Sequence, residues 1–96
     1  MAYLPIALVI KSLERLTHKV GIFVKTVPHI SKVGNEYHRI DFCHTADDGS
    51  VSIICEGVFG VTADDGTIRV GIASFREQRK KIGKSEEQVA YEALMM

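Results

Sequence analysis

The chain has 96 residues, 46% of them hydrophobic and 25% charged, and its formal net charge is zero. That length suits one modest core, so the chain reads as one domain spanning 1–96, and the composition supplies enough apolar surface to offset the entropy of ordering it. Wholesale disorder and an overall electrostatic draw toward nucleic acid or an anionic membrane are both excluded by these figures.

Pro5 suits a first helical turn, and Ile6, Val9, Ile10, Leu13 and Leu16 recur at spacings of three and four. This predicts an amphipathic N-terminal helix that ends near residue 20, where His18 and Lys19 precede Gly21. Ile22, Phe23, Val24, Thr26 and Val27 then predict a strand, bent or interrupted at Pro28, which lacks a ladder donor. Gly34-Asn35 predicts a two-residue hairpin, with a strand from Glu36 to His44 on its far side.

Thr45-Ala46-Asp47-Asp48-Gly49-Ser50 returns seventeen residues later as Thr62-Ala63-Asp64-Asp65-Gly66-Thr67. Asp-Asp suits a type I turn and the following glycine the left-handed position of a bulge, which together make a three-residue hairpin loop. Ala46 then closes against Ser50 and Ala63 against Thr67, so Cys43 faces Ile53 and Val61 faces Arg69. The stretch between the turns reads as one long bent strand. Two short strands joined at Glu56-Gly57 are the alternative, disfavoured because glutamate fits poorly in a left-handed turn position.

A strand from Thr67 to Ala73 precedes Ser74, which with Glu77 makes a capping box for a short helix stopped at Gly83. Ser85 with Gln88 makes another, for a last helix from Glu86 to about Leu94. The predicted class is α+β: an N-terminal helix, a four-stranded antiparallel β-meander and two short C-terminal helices.

Catalytic chemistry finds no foothold in this pattern. On the predicted register Cys43 and Cys55 share one sheet face while His38 and His44 point to the other, so neither imidazole activates either thiol. The two cysteines are expected to be buried and reduced. His38 and His44 are about 20 Å apart along an extended chain, too far for one metal shell. The Asp-Asp-Gly segments lack the alternating ligands and terminal glutamate of an EF-hand, and turn chemistry accounts for them. No cofactor, metal or catalytic residue is predicted. No basic leader or apolar span appears at the N-terminus, so the cytoplasm is the expected compartment and no membrane partner is expected.

Charge, although balanced, is segregated. From Ile40 to Ile68 there is no Lys or Arg and six carboxylates, whereas Arg76, Arg79, Lys80, Lys81 and Lys84 leave a net of plus four over 76–84. These five residues are the candidate binding residues, as a solvated or protein-docking surface first and a nucleic-acid contact second, since no aromatics are interleaved with them. Both faces of the predicted sheet are apolar, Ile40, Phe42 and Ile54 on one and Cys43, Val51, Ile53 and Cys55 on the other. One long N-terminal helix and two short C-terminal ones are expected to shield one face well and the second only in part.

The leading expectation is therefore a non-enzymatic protein-interaction module, an oligomeric scaffold, adaptor or inhibitor that works through an apolar sheet face and its charged ends, with a second copy or another protein as partner. A nucleic-acid-binding protein using 76–84 is the alternative. In architecture, and without a diagnostic motif, the strands from Glu36 to Val61 followed by helices resemble the SecB-type export chaperones. That resemblance implies an apolar groove that holds unfolded polypeptide.

Overall fold

The structure, a computed structural model, describes residues 2–80, 82 and 94. The elements in chain order are β1 (Tyr3–Pro5), α1 (Ile6–Thr17), β2 (Phe23–Ile30), β3 (Glu36–Thr45), β4 (Val51–Thr62), β5 (Ile68–Gly71) and α2 (Ile72–Arg79). The strands form one antiparallel sheet in the order β1-β5-β4-β3-β2. The predicted meander is thus β2 to β5, and β1 adds a fifth strand. Three residues are too few to show a strand period, and their partner β5 lies more than sixty residues away along the chain. Residues 86–93 of the predicted last helix and the stop at Gly83 lie outside the described residues, while Leu94, its predicted end, is helical and exposed.

Three connections share one geometry. In each, the first residue's N–H donates to the carbonyl of the fifth and the fourth residue's N–H donates back to the carbonyl of the first: Ser31 with Asn35 and Gly34, Ala46 with Ser50 and Gly49, Ala63 with Thr67 and Gly66, all at 2.7–2.9 Å. The glycines sit at φ +88, +87 and +84 respectively, the left-handed region that a Cβ makes costly. Both acidic repeats are therefore the predicted three-residue loops. The Gly34-Asn35 hairpin is a correction: its loop is Lys32-Val33-Gly34, with Asn35 already back on the strand side, and Ser31 Oγ accepts the Asn35 N–H at 3.0 Å.

β2 runs through Pro28 without a break, because it is an edge strand and the missing donor need not face a neighbour. β4 is one long strand, as favoured, with Cys43 opposite Ile53 and Val61 opposite Arg69. Its register against β3 slips twice, however. Ile40 pairs with Val58, Phe42 with Cys55 and Cys43 with Ile53, so β4 carries two extra residues over this stretch. Gly57, at φ +66, lies in the first irregularity, and its N–H donates to Asp41 Oδ1 at 2.9 Å. A bulge reverses which parity faces inward. Cys55 consequently joins Ile40, Phe42 and Val58 in the core, while Cys43 is buried outside that cluster. The expectation that the two cysteines share a face is overturned by this bulge. Both are buried thiols.

Val9 and Leu13 of α1 and Phe75 of α2 pack into the same cluster as Ile40, Phe42, Val58 and Val70. Both helices therefore lie on one face of the sheet, giving two layers. α1 ends three residues earlier than predicted. His18 takes the left-handed cap position at φ 57, Thr17 Oγ1 donates to the Leu13 carbonyl at 2.7 Å, and the Glu14 carboxylate accepts the N–H groups of Gly21 and Ile22 at 2.7 and 3.2 Å. The side chain of Glu14 thereby fixes the turn into β2. α2 starts two residues before Ser74, with Gly71 at the N-cap and no side-chain cap. The predicted capping box is replaced by a long-range bond. Ser74 Oγ accepts the Phe59 N–H at 2.9 Å, satisfying a β4 donor near the point where β5 pairing begins.

Candidate functional site

With both helices on one face, the opposite face of the sheet is open among the described residues. Strand alternation places Lys25, Val27 and His29 of β2, Tyr37 and Arg39 of β3, and Ile53 and Phe59 of β4 on this face, together with Cys43, which is itself buried. Its chemistry divides along the strands. Toward the 46–50 loop it is aliphatic, with Val51 and Ile53 51% and 57% exposed. Toward the 31–35 loop it is aromatic and cationic.

Three rings on neighbouring strands form a continuous row there. His29 stacks on Tyr37 with centroids 5.3 Å apart and planes 16° apart, and Tyr37 stacks on Phe59 at 5.5 Å and 23°. Arg39, directly opposite Phe59, lies 3.8 Å from Asp41, which is the only ion pair among the described residues. A shallow cleft of about 300 Å³ between the ring row and Arg39 reaches the Gly57 bulge. Sequence reading missed this row because His29, Tyr37 and Phe59 align only once the registers of both β-pairs are known. The available signal was the His29↔Tyr37 partnership, which follows from a 32–34 loop and not from a two-residue one.

The predicted basic site is placed in part. Arg76, Arg79 and Lys80 are exposed on α2 and just after it, on the helix side of the molecule and away from the ring row. Lys81 and Lys84 lie outside the described residues. The structure brings Arg79 together with groups the sequence did not link to it: Ser12, Arg15, Leu16 and His18 of the α1 end line one cleft of about 350 Å³ with it. Arg76 and Arg79 also border an adjoining cleft with Leu8 and Ser12.

Among the described residues no three His, Cys, Asp or Glu side chains converge as metal ligands, and no helix is long and apolar enough to cross a membrane. His38 sits on the helix-covered face, its Nε2 2.8 Å from Thr62 Oγ1 and its buried Nδ1 without a hydrogen-bond partner. His44 pairs with Ser52 toward the far end of the same strand, so the two imidazoles are indeed apart.

The acidic loops are electrostatically set. The Ser50 hydroxyl, at 2.6 Å, and then its N–H hold the Asp48 carboxyl below the usual aspartate value, and Thr67 does the same for Asp65. A depressed folded value means these bonds stabilise the turns above the unfolded value and are lost as pH falls through the folded one, below about pH 4. Ser50→Ala and Thr67→Val are expected to raise the carboxyl midpoints of Asp48 and Asp65 respectively, read by NMR titration; unchanged midpoints would show that the hydroxyls do not set them.

No protein-family model, curated protein or solved structure matches the chain.

Proposed function

We propose that the protein is a non-enzymatic protein-interaction module that works through the open face of its sheet. The observation that carries this reading is the placement of both helices on one face, which leaves Val27, Val51 and Ile53 about half exposed on the other together with the ring row. Half-exposed aliphatic side chains on β2 and β4, either side of β3, lose free energy in water that a matching protein surface recovers, at about 25 cal/mol per Å² buried. The simplest such surface is the same face of a second copy, since two sheets pack face to face at about 10 Å with inward side chains interdigitating.

The test is association by light scattering at tens of micromolar. The wild-type chain is expected to gain mass with concentration in a way that resists salt, and Val27→Asp with Ile53→Asp is expected to abolish that part of the association while leaving the circular dichroism spectrum unchanged. A wild-type chain whose mass is unaffected by the two aspartates would remove the sheet face as the contact surface.

A further inference from the structure

The charged ends of the molecule carry a second surface. α1 with its following turn and α2 with Lys80 hold Lys11, Arg15, Lys19, Arg76, Arg79 and Lys80 against Glu14 and Glu77 alone, a net of plus four. Glu14 is spent on the N–H groups of Gly21 and Ile22. Residues 21–71, the sheet strands β2 to β5 and their loops, are net minus three. The two layers therefore have opposite sign.

The positive charge concentrates where the two helices end. Arg15, His18 and Arg79 border one cleft with Ser12 and Leu16, and Leu16 is 42% exposed in it. Two helix C-termini contribute about half a negative charge each. Arg15, Lys19, Arg79 and Lys80 exceed that by about three charges, and no ion pair among the described residues uses them.

The fold sets an acidic tip at this same end. α1 leads through 18–22 into β2, whose first residue Phe23 pairs with Cys43, which in turn pairs with Ile53, two rungs from the 46–50 loop. α2 runs to the same end, where Gln78 lines a pocket with Ile53 to Glu56. The tip of that loop is Asp47-Asp48, exposed, with Asp48 tied to Ser50. A basic cleft and an acidic tip at one end of one chain satisfy the condition for an isologous contact, in which each copy's tip enters the other's cleft about a two-fold axis.

We propose that the Arg15–Arg79 cleft receives the Asp47-Asp48 hairpin tip of a second copy, reciprocally, to form a closed dimer through the charged ends. The inference rests on the interaction reading above and names the partner of the ends. It leaves the open sheet face free for its own contact.

The experiment uses the full chain carrying Val27→Asp and Ile53→Asp, so that any dimer left reports the ends alone. Sedimentation at about 100 µM is expected to show a dimer at 50 mM salt whose Kd rises at least tenfold at 500 mM, because the screening length falls from about 10 Å at 0.1 M to about 3 Å at 1 M. Arg15→Glu with Arg79→Glu is expected to give a monomer, as is Asp47→Lys with Asp48→Lys. Mixing these two variants restores both junctions with reversed sign in one of them, and a one-to-one dimer is the expected result. A monomer at 50 mM salt, a dimer indifferent to either reversal, or a mixture that stays monomeric overturns the proposal. So does salt-sensitive capture of a labelled oligonucleotide by the Arg15–Arg79 cleft of a monomeric chain. If the wild-type chain instead associates only through Val27 and Ile53, the sheet-face reading stands and this one fails.

Discussion

Phe42→Ala is expected to cost about 3–5 kcal/mol, a large part of the 5–15 kcal/mol that holds a domain of this size. Phe42 is the largest fully buried side chain among the described residues, with no exposed surface. Its ring lies 6.5 Å from that of Phe75, its strand partners are Val24 and Cys55, and it belongs to the cluster that joins both helices to the sheet. Truncation leaves a cavity touching three elements at once, which no single side-chain movement refills. Ile53, paired with the very next residue of β3 but 57% exposed on the open face, supplies the contrast. Ile53→Ala is expected to cost under about 1 kcal/mol. Urea denaturation of the two variants measures both, and equal losses would mean that the helices do not share the Phe42 face.

Gly60→Ala is the second large effect, expected at about 1–3 kcal/mol, with Gly60→Val beyond that. Gly60 has an ordinary negative φ, and the demand for glycine comes from a close approach. A Cβ there would stand 2.5 Å from Ile40 Cδ1 and 3.0 Å from the Arg69 carbonyl oxygen. The carbonyl belongs to the paired strand and cannot withdraw without opening the β4–β5 ladder, which is only three pairs long. Ile40 is wholly buried, so its methyl has no free space to enter. The same addition at Gly57 would meet nothing closer than Arg39 Nε at 3.9 Å, and its cost would come from φ alone. A thermal melt of Gly60→Ala within a degree of wild type would show that the strand pair gives way more readily than this geometry allows.

Sequence alone determined the parts of this protein whose causes are local. A hairpin loop depends on five consecutive residues, so Asp47-Asp48-Gly49 and Asp64-Asp65-Gly66 set their own turns and, through them, the pairing of Cys43 with Ile53 and of Val61 with Arg69. The N-terminal helix is legible for the same reason, since a 3.6-residue period is carried within the segment itself. The segregation of charge along the chain is legible too, and the proposed contact between the basic cleft and the acidic tip draws on it.

Tertiary structure decided what depends on residues far apart. β1 exists because Tyr3–Pro5 finds an edge at Arg69–Gly71, which nothing near residue 3 announces. The double slip of β4 around Ile54 to Gly57 reassigned Cys55 to the core, because a bulge inverts the alternation that any reading by parity must assume. Ser74 carries a helix-capping signature and instead accepts the N–H of Phe59, the β4 residue just before the rungs that pair with β5. The candidate site followed the same rule. Arg79 was visible as one of a basic run, but its cleft with Arg15 and His18 required two helices, sixty residues apart in the chain, to end at one place over the same sheet face.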